Sequence, residues 1–457
     1  MQVFSGALLC YNKIMKNMLF VADGFTGGGL ETRVIEQIKI LKKKRVRFYL
    51  LCSKFNPEYK KYFTEVSEAL KLSFQLHSAS DVLADVDTIC DFCKKHRIDY
   101  IECHPFLCTL PAALAAEKIN IPISFTLHGV TSGDFVNGAD YLPGRTLYHL
   151  MLSYGFDKYF AVAEYLTSLY SFLKNDSIVR NGVSLNAMKY RKFKNTKAVA
   201  IASRLDVIKS QLIIDFLPDA YKSSAINTID IYGDGDGVPM IQSFIADNHM
   251  SDKVHIKGWE KNLPGKLSSG EYMLAFGMGR VALEAMSSGT PVGILGYGGF
   301  AGLVNRSNLQ DFAKNNLTSW KSSDASLETE LKRFFKKPSD YIFSKKDLAM
   351  FDAEAIWQKY YDIILKTSHS ENIASQKVYK FLSDNPNVDI FRDYELFLAS
   401  ARMLADGDRP TSQKLFFAIF QNQYDTILEL KNRLSIEKER NIQSNKRSFL
   451  QKLLHRN

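Results

Sequence analysis

Short, wholly apolar runs alternate along this chain with stretches whose apolar positions recur every three to four residues. Residues 18–22 read as a buried strand. Leu30, Val34, Ile35, Ile38 and Leu41 then mark one face of a helix closed by Lys42, Lys43, Lys44 and Arg45, cations that suit the negative end of its dipole. Residues 47–51 return as a strand. Helices at 82–96, 110–116 and 164–173 alternate with strands at 100–103, 123–127 and 159–162. After a basic, apolar-poor stretch at 189–197 the pattern restarts, with strands at 198–202, 228–232, 254–256, 272–275 and 292–295. Strand–helix alternation of this kind predicts α/β folding on parallel sheets. Two such runs joined by a linker predict two Rossmann-like domains, 15–190 and 196–349, facing a cleft. A helix at 350–366 is expected to cross back to the first domain. From 370 to 457 helical periodicity continues without strand patterns, which predicts a C-terminal helical appendage.

A hydrophobic content of 46% and a charged content of 24% fit a soluble globular protein. No apolar run approaches the length of a membrane span. The first residues lack a basic start and a small-residue cleavage pattern, so no signal peptide is expected. Six sparse cysteines fit a reducing, cytoplasmic setting. Cys90 and Cys93 form a CxxC inside a helical run with no second pair, so buried thiols are expected rather than zinc. The net charge of +10 calls for an anionic partner. Nucleic acid is not expected, because no helix-turn-helix, zinc or RNP-like pattern occurs; a phosphorylated substrate or anionic lipid remains. Residues 441–457 carry Lys446, Arg447, Lys452 and Arg456 without an acid, and Phe449, Leu450, Leu453 and Leu454 share one face. This segment reads either as a peripheral contact with an anionic membrane, at the inner face of the cell membrane, or as a basic, frayed C-terminal helix.

The candidate chemistry lies in glycine loops at strand ends. Asp23 to Gly29 opens the first helix but lacks the GxGxxG spacing of a dinucleotide site. At 277–292 a glycine-spaced loop runs into an apolar helix bearing one carboxylate, Glu284, before Gly289, Thr290 and Pro291 end it. A helix start after small residues is a seat for phosphate, and an acid one turn on can take ribose hydroxyls. The alternative is a core helix with Glu284 at its rim.

Several motifs, taken in order, resemble the GT-B glycosyltransferases of the large retaining sucrose-synthase-like type. They are Gly28-Gly29-Leu30-Glu31, Thr126-Leu127-His128-Gly129, Val179-Arg180-Asn181-Gly182-Val183, Ser203-Arg204-Leu205 with Lys209, Ile231-Tyr232-Gly233-Asp234-Gly235, and Glu284-Ala285-Met286-Ser287-Ser288-Gly289-Thr290-Pro291-Val292. The resemblance implies a hexosyltransferase-type enzyme using a nucleotide-diphospho sugar as donor, with retention, on a polysaccharide or lipid-linked acceptor. It implies catalytic roles for His128, Arg204 and Lys209, and donor contacts from Gly28, Gly29, Gly233, Gly235, Gly279, Arg280 and Glu284. Arg204 and Lys209 would offset charge on the leaving diphosphate, so neither metal nor cofactor is expected. Alternative readings are a solvated loop for Arg204 and Lys209, a surface ion pair for Arg280, and a core histidine for His128. Phe276 departs from the pattern, standing where the family usually has a second glutamate. That leaves two further readings open: a catalytically weak GT-B partner subunit, and a nucleotide-sugar epimerase, whose acid/base set is not recognisable here.

Overall fold

The computed structural model describes residues 15–71, 78–129, 151–152, 154–170, 173, 177–188 and 192–387. Contacts divide the chain into two compact units, Met1–Phe397 and Leu398–Asn457, and every described residue lies in the first. The expected helical appendage beyond residue 387, with the basic segment at 441–457, lies outside the described residues.

Two six-stranded sheets, and a two-stranded pair of Gly24–Phe25 with Lys54–Phe55, occur among the described residues. In the first lobe the strands run Glu65–Ser67, Arg47–Leu51, Asn17–Val21, Tyr100–Cys103, Ile123–Leu127 and Lys158–Ala161 across the sheet, all parallel. Asn17–Val21 and Ile123–Leu127 are buried at every position, as helices on both faces require. In the second lobe the order is Val254–Gly258, Thr228–Tyr232, Ala198–Ala202, Leu274–Gly277, Val292–Gly296 and Gly299–Leu303. Its last strand is antiparallel and forms a hairpin through Tyr297 and Gly298. The glycines at 296, 298, 299 and 302 hide this strand in the sequence.

Each sheet reverses its direction of winding once. In the first lobe the chain moves outward from Asn17–Val21 to Arg47–Leu51, then returns to place Tyr100–Cys103 on the other side. In the second lobe it does the same around Ala198–Ala202 and Leu274–Gly277. Ligands of open α/β sheets sit beyond the carboxyl ends of strands at these switch points.

Helix ends are set by local chemistry. Ser78 and Asp81 form a reciprocal capping box at the start of Ala79–His96. Asn120, in the left-handed region, ends Thr109–Ile119. The expected helix at 164–173 is a single turn and a half, Tyr165–Leu169, among the described residues. Helix Ala353–Lys366 carries Trp357, Tyr360, Tyr361 and Ile364 into the core of the first lobe, beside Phe20, Val34, Ile38 and Phe160. The next helix, Ile373–Asp384, packs on Ala79–His96 and Thr109–Ile119. His369, Asn372 and Ser370 fix its approach by bonding Asp157, Glu117 and the Tyr154 carbonyl.

Candidate functional site

At the first switch point the loop 22–28 leads into helix Gly29–Leu41. Gly27 (φ 140°) and Gly28 (φ 154°) hold backbone angles that side chains rarely adopt. Glu31 Oε1 accepts from the Thr26 and Gly27 amides at 3.0 and 3.1 Å, so these two amides are engaged within the protein. Among the described residues no side chain caps the helix. Its first turn already holds one carboxylate, Glu31. A Cβ placed on Gly29 would meet nothing within 4 Å. Asp23 ties this loop to its neighbour across the switch point, accepting from the amides of Leu107 and Cys108 at 2.9 and 2.8 Å.

His128 follows strand Ile123–Leu127 and is half-buried. Its Nε2 lies 2.9 Å from Nδ1 of His104, which leaves the adjacent strand and is fully buried. His104 in turn sits above Glu102, with 3.8 Å between Nε2 and Oε1. Burial pushes the pKa of His104 down to about 4. Burial, with help from His104 and the Arg33 charge, holds His128 well below the ordinary histidine value. Both rings are neutral near neutral pH.

At the second switch point, loop 203–206 leaves strand Ala198–Ala202. Asp206 caps helix Val207–Lys222 by accepting from the Lys209 amide at 3.0 Å. Its other oxygen takes Arg204 Nε at 3.1 Å and Lys209 Nζ at 3.4 Å. Burial would raise the Asp206 pKa, but the Lys209 amide and the two cations outweigh it and hold it low. The Arg204 side chain is 63% exposed and Lys209 only 18%, so one cation reaches outward and the other stands behind it. Burial, then repulsion from Arg204, lowers the Lys209 pKa. Gly233 and Gly235 support this loop: a Cβ on Gly233 would lie 1.9 Å from the Ser203 carbonyl oxygen, and one on Gly235 2.5 Å from that of Leu205. Tyr297, at the hairpin tip, stacks on Trp320 at 4.7 Å, and burial, then the Asp206 charge, raises its pKa.

Strand Leu274–Gly277 completes this switch point. Gly279 (φ 56°, ψ −120°) starts helix Arg280–Ser287 in a conformation open to glycine. Arg280 donates from Nε to Glu284 at 2.9 Å, from Nη1 to the Gly182 carbonyl at 2.7 Å, and to Glu36 of the first lobe at 3.3–3.4 Å. Burial would lower its pKa, but Glu36 and Glu284 more than offset this and raise it. Burial raises the Glu36 pKa, with Arg280 opposing. Arg280 is thus committed to a junction between lobes, and Glu284 is its partner there. Phe276 is fully buried, packed on Phe216 and Phe300 at 4.8 and 6.0 Å, and faces the core of the second lobe.

Across the lobes, Asn181 donates to Asn316 Oδ1 at 3.1 Å and Lys261 meets Glu58 at 3.3 Å. Asn316 follows helix Leu309–Lys314, and Leu317 beside it accepts from the Gly279 amide at 2.9 Å, so the Asn181 contact joins the first lobe to the second switch point. Arg204 and Lys209 come together on one carboxylate, and Arg280 and Glu284 on one junction one strand away. Gly28, Gly29 and His128 belong to the opposite lobe.

Glu102, His104, Arg33 and Glu36 escaped the sequence reading. Arg33 is wholly buried, donates to the carbonyls of Val179 and Arg180 at 3.1 Å, and lies 4.6 Å over the Trp357 ring. Burial lowers its pKa to about 10, so it stays charged. Glu31 was visible only as part of a motif, and a buried His directly after strand 100–103 was the one available signal for His104.

No family model matches the chain, and no curated protein matches its sequence. Solved structures match in fold. HepE of Anabaena, in complex with UDP and glucose, aligns at 17% identity with a TM-score of 0.58, covering 77% of this chain and 100% of its own. Sucrose-phosphate synthase of Thermosynechococcus elongatus aligns at 13% identity and a TM-score of 0.56, over 76% of this chain and 98% of its own. A glycosyltransferase of Rickettsia africae gives 17%, 0.52, 81% and 99%. At such identities the likeness is one of fold, and the chain has the two-lobed GT-B architecture.

Proposed function

We propose that the protein is a glycosyltransferase that moves a sugar from a nucleotide-diphospho sugar, with retention, to a saccharide or lipid-linked acceptor. The observation that carries this reading is the placement of Arg204 and Lys209 on Asp206 at the second switch point. Two fixed cations there would take the diphosphate and stabilise the charge growing on it as the glycosidic bond breaks. The uncapped start of helix Gly29–Leu41 would face the same anion from the other lobe, and His128 would meet the transferred sugar. Glu284 would reach the ribose hydroxyls with the oxygen not given to Arg280. UDP and glucose in HepE are consistent with such a ligand. A lipid-linked acceptor at the inner face of a membrane would account for the net charge of +10.

A second reading, a catalytically weak partner subunit, draws on one observation. Phe276 is in the core, so no carboxylate from that position faces the donor sugar. Donor-dependent transfer, or slow donor hydrolysis, by the purified protein separates the two. Under the leading reading Glu284→Ala and Lys209→Ala each cut that rate about 100-fold or more. Full rates in both variants would move the site elsewhere.

A further inference from the structure

We propose that Glu36, on the first lobe, is a positioning residue for Glu284 on the second: acting through Arg280, it keeps one oxygen of that carboxylate clear to meet the ribose hydroxyls of a nucleotide. The role given to Glu284 rests on the glycosyl-transfer reading; the coupling of Glu36 to Glu284 does not.

Arg280 is poorly placed by the rules of its own lobe. It is the first residue of helix Arg280–Ser287, where the positive end of the dipole opposes a cation. It stands four residues before Glu284, and at this spacing the order with the acid first is the better one. What offsets this comes from the other lobe. Arg280 Nη1 and Nη2 face Glu36 Oε2 and Oε1 at 3.4 and 3.3 Å, and Nη1 also donates to the Gly182 carbonyl at 2.7 Å. Its Nε donates to Glu284 Oε1 at 2.9 Å. One planar guanidinium therefore spans two carboxylates, and any turn of its Nη edge also turns its Nε–H.

Glu36 is itself held. It lies in the middle of helix Gly29–Leu41, and Trp357 Nε1 donates to its Oε2 at 3.5 Å. A Cβ on Gly182 would come 3.2 Å from that oxygen and 2.8 Å from Ala353 Cα, so the missing side chain is what lets the three segments meet. The side chains of Glu36, Arg280 and Glu284 are 13%, 16% and 16% exposed, so salt screens their attraction little.

The consequence is a competition for one guanidinium. With Glu36 present, the Nη edge is engaged by the first lobe, and one oxygen of Glu284 is left to the ligand. Without the Glu36 charge, Glu284 is the remaining carboxylate bonded to Arg280 among the described residues. The fork then closes on both of its oxygens, the arrangement that arginine and carboxylate favour, and both are withdrawn from a ribose. An orientation set in one lobe thus decides what the other can bind.

The test is calorimetry on the full chain with UDP, GDP, ADP and CDP as probes, each beside its 2′,3′-dideoxy form. Glu36→Gln keeps the shape and an acceptor for Trp357 but removes the charge. It should weaken binding of the ribonucleotide about 10-fold and of the dideoxy form less than about twofold. In a Glu284→Ala background the same change should have less than about a twofold effect on either form. Equal losses for the two forms, or a full further loss in Glu284→Ala, overturn the proposal. A second readout needs no ligand: the side-chain carboxyl 13C signal of Glu284, assigned by Glu284→Gln, should move in Glu36→Gln and stay still when that change is made in Arg280→Met. An unmoved signal in Glu36→Gln overturns the proposal. A signal that moves as expected in a protein that binds none of the probes upholds the coupling and overturns the transfer reading. If Glu36→Gln does not fold, Glu36→Asp, which draws the carboxylate back by one methylene, is judged by the same outcomes.

Discussion

Glycines at this site do two different jobs, and single substitutions separate them. Gly233 must be glycine for the fold, because a Cβ there would overlap the Ser203 carbonyl oxygen at 1.9 Å and its φ is 145°. Gly233→Ala should cost more than about 2 kcal/mol in a denaturant melt. Gly29 has open space where a Cβ would go and starts a helix, so Gly29→Ala should change stability by less than about 0.5 kcal/mol. If its amide approaches phosphate, the same change should weaken nucleotide binding at least about fivefold, read by calorimetry. Unchanged affinity would mean that Gly29 ends a turn and nothing more. Phe276 adds a caution about counting along a motif. It stands eight positions before Glu284, yet it lies within strand Leu274–Gly277 with its ring in the core, because only Met278 and Gly279 separate that strand from the next helix.

Elements were the most legible level of the sequence. Strands buried on both faces leave apolar runs, and Asn17–Val21, Arg47–Leu51, Ala198–Ala202 and Thr228–Tyr232 stand within a residue of where those runs predict them. Glu65–Ser67 was too short to show, and Gly299–Leu303 too rich in glycine. The loop bearing Gly279 was legible because glycines and a strand end mark it, whereas Arg204, in a loop without glycine, stood out only through the family resemblance. Glu102 and Arg33 were not, because what gives them meaning is remote: Tyr360 lies 258 residues from Glu102, and Val179 lies 146 from Arg33. The anchor of helix Ile373–Asp384 was equally hidden. His369 bonds Asp157 at 3.0 Å and Glu117 at 3.1 Å, and its pKa is raised, first by the Asp157 hydrogen bond. The folded state therefore binds this proton more tightly than the unfolded chain does. The stabilisation is complete below the ordinary histidine value and is lost as pH climbs through the raised one. Amide-exchange protection in Ile373–Asp384, corrected for intrinsic rates, should fall across that window and stay level in His369→Gln. A protection that rises with pH in the wild type would contradict this assignment.

The whole molecule depends on how its two lobes meet. Arg280, first residue of its helix, reaches Glu36 and the Gly182 carbonyl, and Trp357 Nε1 adds a longer contact to Glu36 at 3.5 Å. Gly182 allows the crossing chains to pass: a Cβ there would sit 2.8 Å from Ala353 Cα. Arg280 and Glu36 are each about 85% buried, so the pair is shielded from screening by salt. Glu36→Ala should cost about 1–3 kcal/mol and increase the radius of gyration measured by X-ray scattering, as the lobes lose their shared carboxylate. A variant with unchanged melting and scattering would show that Glu36 does not hold the lobes together. The central claim is that facing switch points hold a nucleotide-diphospho sugar, and ligand-dependent thermal stabilisation across a panel of nucleotide sugars tests it most directly. At 100 times its Kd a true donor should add about 2.7 kcal/mol to the wild type and almost nothing to Lys209→Ala. A panel in which no nucleotide sugar shifts the melt, or in which Lys209→Ala responds as fully as the wild type, would contradict the account.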